Sequence, residues 1–281
     1  MKPVKSLIAI CAIAFLLPCT PVYSQCHPEC TVYTNPIPRT TVEKYMKNYA
    51  NDYRNTTAKK KTHSISVDFS REGLIEFYKK NFIDLPGIHF GVNVYFVTFN
   101  SPFLPGHKDS DQIGLMLLPS DAQCKTNSRA YNLFNNSFNQ TAANHINTPF
   151  PNSCNETQFL NFKNYYATKH RPGAPKKYTE YVHFDSSVFT LIYNYLISNP
   201  NYKGIRIDFG SYNLAGMACK QADPKQITLF ISPVYMDGSA NYESFYKFIE
   251  QNYTEIGIKN KILSTLNHGE LCPDGCPEEG N

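Results

Sequence analysis

Ser64-Ile65-Ser66-Val67-Asp68-Phe69-Ser70 and Tyr181-Val182-His183-Phe184-Asp185 are the two stretches whose reading decides the fold. In the first, Ile65, Val67 and Phe69 alternate with polar residues, the period of a half-buried strand. Ser70 then caps a helix whose apolar positions Leu74, Phe77, Tyr78 and Phe82 keep helical spacing. Pro86-Gly87 breaks the chain, Ile88 to Phe99 reads as a long strand, and after a Gly/Pro/Asp loop Gln112 to Pro119 reads as another. The second stretch opens the same grammar. Asp185 or Ser186 caps a helix with Val188, Leu191, Ile192, Tyr195 and Leu196 on its apolar face. Asn199-Pro200 stops that helix, because a residue before proline avoids the α region. Gly204 to Phe209 and Gln226 to Pro233 are the strands that follow.

Three landmarks recur in the same order: Val67-Asp68-Phe69-Ser70 with Val182-His183-Phe184-Asp185, Gly87-Ile88 with Gly204-Ile205, and Gln112-Ile113 with Gln226-Ile227. The reading is a duplicated unit, with independent arrival at the same α+β grammar as the alternative. A strand–helix–strand segment ordinarily makes a right-handed crossover between parallel strands, and the loop after it allows an antiparallel hairpin. The expected fold class is therefore α+β: two pseudo-repeated β-α-β-β units forming mixed sheets, with helices packed on one face.

Outward from these units, Thr40 or Thr41 caps a helix carrying Val42, Tyr45, Met46, Tyr49 and Tyr53. Ser239 caps another carrying Tyr242, Phe245, Tyr246, Ile249 and Tyr253. Residues Glu156 to Thr168 read as a helix with Phe159, Phe162 and Tyr166 aligned, and the Asn-rich stretch from Asp121 to Asn155 as a long loop. The expected organisation is a leader over 1–24, an N-terminal cysteine motif and helix over 25–61, and the first unit over 62–120. A loop and connecting helix over 121–177, the second unit over 178–237, and a C-terminal helix and cysteine motif over 238–281 complete it.

The leader carries Lys2 and Lys5, then an apolar run from Leu7 to Leu17 that is too short to span a bilayer. Val22 and Ser24 place cleavage after Ser24. Lipidation at Cys19 is the alternative, disfavoured by Pro18 before it. The expectation is an exported protein, periplasmic or extracellular, with no transmembrane segment in the mature chain. Without Lys2 and Lys5 the whole-chain charge of +4 falls to about +2, which gives no argument for a nucleic-acid partner.

Seven of the nine cysteines follow the leader: Cys26, Cys30, Cys124, Cys154, Cys219, Cys272 and Cys276. Export favours disulfides, for which Cys26, Cys30, Cys124, Cys154, Cys272 and Cys276 are the candidates and Cys219 the odd residue out. The alternative is a zinc site built from Cys26, Cys30, Cys272 and Cys276 with His268, or redox-active thiols. Against zinc stand the C-x-x-x-C spacing and the prolines around Cys272 and Cys276. No metal or other cofactor is therefore expected. The duplicated unit followed by Leu266-Asn267-His268-Gly269-Glu270-Leu271-Cys272-Pro273-Asp274-Gly275-Cys276 resembles a group of uncharacterised exported bacterial proteins. The resemblance implies export and assigns no catalytic residue.

Nucleophile-elbow, zinc-helix, P-loop and dinucleotide motifs are missing. The remaining polar cluster comes from the strands. Ile205, Ile207 and Phe209 take one face, leaving Arg206, Asp208 and Tyr212 on the other. His89, Asn93 and Tyr95 take the matching side of the first unit. A twofold relation of the units would line a ligand groove with these six residues. The plainer reading is a sheet face on which Arg206 and Asp208 pair weakly, with His183 structural beside its helix cap. These observations favour a non-catalytic binding or structural module of the envelope or secretome, its partner an envelope protein or a glycan. A hydrolase using His89, Arg206 and Asp208 is the alternative, and a metal- or redox-responsive protein the third reading.

Overall fold

The computed structural model describes residues 39–54, 65–98, 113–121, 126, 136–139, 156–170, 179–211, 226–241, 243–254 and 270–272. In chain order the elements are α1 (Arg39–Tyr49), β1 (Ser66–Ser70), α2 (Arg71–Tyr78), β2 (Gly91–Thr98), β3 (Ile113–Ser120) and β4 (Asn136–Asn139). There follow α3 (Glu156–His170), β5 (Tyr181–Asp185), α4 (Ser186–Ser198), β6 (Tyr202–Ser211), β7 (Ile227–Tyr235), α5 (Ser244–Asn252) and β8 (Glu270–Cys272). The two predicted caps form: the Ser70 side chain accepts from the Gly73 N–H at 3.1 Å, and Asp185 from the Ser187 N–H at 2.9 Å. A π-helical turn, Lys79–Ile83, carries α2 on towards β2.

The strands form two four-stranded sheets, β4-β1-β6-β7 and β8-β5-β2-β3. Each joins the first strand of one unit to the second and third strands of the other. Thus β1 pairs with β6 (Asp68 opposite Arg206) and β5 pairs with β2 (His183 opposite Asn93). Every ladder among the described strands is antiparallel, so the expected mixed sheets are corrected to antiparallel ones. The helices α2 and α4 are the reason. Each carries the chain from one sheet to the other, so no strand–helix–strand segment returns to the sheet it left, and the parallel crossover never arises.

Helices cover the sheets on more than one face, a second correction. Tyr45 of α1 stacks on Phe230 of β7 at 5.8 Å, on the side where Gly210 leaves room for it. Phe159 of α3 meets Tyr95 of β2 edge-on at 4.9 Å. Meanwhile α2 and α4 pack on each other, with Phe77 and Phe189 rings 6.0 Å apart. Phe96 of β2 and Phe209 of β6 bring the two sheets together at 5.9 Å. Both faces of β2 and β3 are consequently buried, as is β7 up to its last residue. A shared core runs through Val67, Phe69, Val92, Val94, Val182, Phe184, Ile205 and Ile207.

Four local expectations shift. The first helix already includes Arg39, so neither Thr40 nor Thr41 is its cap. Ser239 caps no helix: its N–H and hydroxyl both donate to Asp237, and α5 starts at Ser244. Within the predicted 121–155 loop, β4 adds an edge to β1, and Thr126 bridges Ser120. Finally, the register places Gly91, not Gly87, where Gly204 lies, since Gly91 opposes Asp185 as Gly204 opposes Ser70. Gly87 instead turns the chain before β2 with φ of 76°. Pro119 and Pro233 oppose Val92 and Ile205 on the edge strands β3 and β7. The Pro233 carbonyl points outward, accepting from the Asn241 N–H, so the ring occupies a position where a missing N–H costs the sheet nothing.

Candidate functional site

The six predicted groove residues do not line one groove along a single sheet. Arg206 and Asp208 stand on β6 and Asn93 and Tyr95 on β2, in different sheets at corresponding register positions. Tyr212 lies outside the described residues, as do Cys26, Cys30, Cys124, Cys154, Cys276 and His268. Cys272 ends β8, opposite Tyr181.

In the first sheet Asp68 and Arg206 oppose each other directly, which puts both side chains on one face. Arg206 closes a two-pronged ion pair on Asp68, Nε donating at 2.7 Å and Nη2 at 2.9 Å, and Nη2 also reaches the Gly238 carbonyl at 3.4 Å. The pair replaces the expected weak contact between Arg206 and Asp208. Hydrogen bonding to Asp68 holds the guanidinium above its ordinary pKa, against the opposing effect of burial. Asp208, two residues along on the same face, is buried against Ser66 and Phe230. Arg206 has turned its fork to Asp68, so burial dominates at Asp208. Its carboxyl is pushed up to about 7, the Asp68 charge adding to the shift and Arg206 working against it.

In the second sheet His183 and Asn93 hold the corresponding positions. His183 Nδ1 lies 2.8 Å from Asn93 Oδ1, while Asn93 Nδ2 donates to Thr126 Oγ1 at 3.0 Å and the Tyr95 hydroxyl meets the same Thr126 oxygen at 2.6 Å. With its amide nitrogen committed to Thr126, Asn93 presents an acceptor to the imidazole, so Nδ1 carries the proton. Ser120 Oγ lies 3.5 Å from that same Nδ1. A serine activated by histidine needs a ring nitrogen with a free lone pair, and a protonated Nδ1 does not offer one. The imidazole ring lies against Gly91, whose missing Cβ makes the space for it.

His89 precedes β2 and belongs to neither row. Only 6% of it is exposed, and its Nδ1 has no hydrogen-bond partner among the described residues. The Phe82 ring meets it edge-on at 6.1 Å. Burial lowers its pKa, and the Asp121 carboxylate opposes that shift. Around it the polarity is inverted. Of the seven large apolar residues exposed among the described ones, four fall in the loop 83–90: Ile83, Leu85, Ile88 and Phe90, each between 43% and 49% exposed.

Sequence reasoning missed Asp68 as the partner of Arg206, Asn93 and Ser120 as neighbours of His183, and Thr126 as the partner of Asn93. The signal was available, because Asp68 and His183 each stand between two core residues in the matched strands. Among the described residues no trio of His, Cys, Asp or Glu is placed to hold a metal ion, and no helix is long and apolar enough to cross a membrane. Comparison with protein-family models, with curated proteins and with solved structures found no match.

Proposed function

We propose that this protein is an exported, non-catalytic binding module of the cell envelope or secretome that engages a partner through the loop 83–90. The carrying observation is the concentration of exposed Ile83, Leu85, Ile88 and Phe90 in that one segment, since clustered apolar exposure beside a well-filled core marks an interaction surface. Three of the four side chains are aliphatic and give a sugar no ring to stack on, which favours an envelope protein over a glycan as partner. Export rests on the leader over 1–24, and the two-sheet framework on a duplicated unit. The reciprocal exchange of first strands and the matched prolines Pro119 and Pro233 support that duplication.

An array of envelope proteins and glycans, probed with the mature protein and with a variant carrying Ile83→Ser, Leu85→Ser, Ile88→Ser and Phe90→Ser, tests the reading. Micromolar hits on proteins that disappear with the variant are expected. An array without hits, or hits that the variant retains, overturns it. One observation favours the hydrolase alternative: a carboxyl at Asp208 that titrates near neutrality has the tuning of a general acid–base group.

A further inference from the structure

The loop 83–90 turns its apolar side chains out and its imidazole in. Ile88 and Phe90 are each nearly half exposed, while His89 between them is buried. The arrangement is held by the Phe90 N–H on the Ser120 carbonyl and the Ser186 N–H on the Phe90 carbonyl, each at 2.9 Å. Upstream, Gly87 turns the chain at positive φ, with no atom within 4 Å of where a Cβ would stand. Under the loop, His89 meets the Phe82 ring of the Lys79–Ile83 turn and, from the end of β3, the charge of Asp121. Its Nδ1 finds no acceptor among the described residues.

We infer that the loop 83–90 is an acid-released element, in which protonation of His89 expels the imidazole from beneath the loop and frees Ile88 and Phe90 with it. The inference rests on the docking reading for its biological meaning, but not for its physics. A neutral imidazole tolerates this buried site, whereas an imidazolium there has a donor at Nδ1 with no acceptor among the described residues and a charge to solvate. Asp121 offsets part of that cost, and burial outweighs it. The sign follows from the lowered pKa. The closed loop has its full stability above the ordinary histidine pKa of about 6.5, and loses it as the pH falls through the depressed value in the closed state. The surface therefore exists in two forms, one ordered at neutral pH and one loosened in acid.

Hydrogen exchange of the peptide spanning 84–91 in the intact mature protein tests this, comparing about pH 7.5 with about pH 5 and correcting for intrinsic exchange. Protection should fall in acid by up to about tenfold for each unit by which the His89 pKa is depressed, and His89→Gln should abolish that difference. If His89→Gln does not fold, His89→Phe, which fills the site without titrating, serves as the second variant. Protection independent of pH in the wild type, or a pH dependence that survives either folded variant, overturns the inference. These readouts use no partner. A blank binding array with a titrating loop therefore removes the docking reading alone, and a bound partner with a non-titrating loop removes the switch alone.

Discussion

The two sheets place different chemistry at the same address. In one, Asp68 and Arg206 face each other across β1 and β6 as a two-pronged ion pair, with Asp208 beside it, where burial outweighs the Arg206 charge. In the other, His183 and Asn93 face each other across β5 and β2 as a hydrogen-bonded pair, with Tyr95 in the place of Asp208. Asp68, Arg206, Asn93 and His183 each stand between two core residues along their own strand, so each satisfies its polar groups across the sheet. Charge forces the first row to hold a counter-ion, Arg206, which its two carboxyls share unequally. The other row closes through Thr126. A shared backbone plan thus tolerates either solution, and the difference between them should appear in stability and its pH dependence.

The largest effect is expected from Arg206→Leu, which leaves Asp68 and Asp208 without a counter-charge. Urea denaturation should show a loss of about 3–5 kcal/mol, against about 1–3 kcal/mol for Asn93→Leu in the His183 row. The reverse ranking would break the comparison. Next comes Asp208→Asn. Because the folded state raises this carboxyl above its unfolded value, the wild type binds the proton more tightly when folded and loses stability as pH rises from about 4 to about 7. The asparagine variant should match the wild type near pH 4 and exceed it by roughly 2–4 kcal/mol at pH 8. Tyr95→Phe, its counterpart, should show an offset that does not change over that window. Gly91→Ala follows, at about 1–3 kcal/mol by thermal unfolding. Its Cβ collides with the His183 ring and comes within 2.8 Å of the Phe184 carbonyl, so a displaced His183 imidazole resonance should accompany the loss. The smallest pair is Ser70→Ala and Asp185→Ala, each expected to cost about 1 kcal/mol of unfolding free energy, since the two caps do the same work in their two units.

Much of this is legible in the sequence. Alternation at Ile65, Val67 and Phe69 gives the strand and its inward face, and Ser70 and Asp185 give the helix starts, because those signals are local and each residue carries its own share. What the same residues cannot carry is the partner. A period of two says which side of β1 is apolar and nothing about whether β2 or β6 lies beside it, and the familiar crossover rule supplied the wrong neighbour. The Gly87 match failed for a related reason: Gly-Ile is a two-residue pattern, while register is set by the whole ladder from Gly91 to Tyr95. The candidate site suffered in turn. Arg206 and Asp208 were found on the correct face, but Asp68 could not be assigned to Arg206 without knowing that β1 and β6 are adjacent. Ser239 shows the limit of cap reading, since its hydroxyl had a nearer acceptor in Asp237.

The exchange of first strands also fixes a schedule. Asp68 must wait for Arg206, 138 residues further along the chain, and His183 pairs back to Asn93 across 90. A chain threaded through a secretion channel from its N-terminus would therefore pass more than half its length before either four-stranded sheet could close. Long-range pairing of this kind folds slowly, which under the proposed export would keep the chain unfolded during passage. The same feature makes each half a poor fragment. Cut between β4 and α3, the first piece keeps β1 without β6 and the β2–β3 hairpin without β5, leaving exposed edges that invite aggregation.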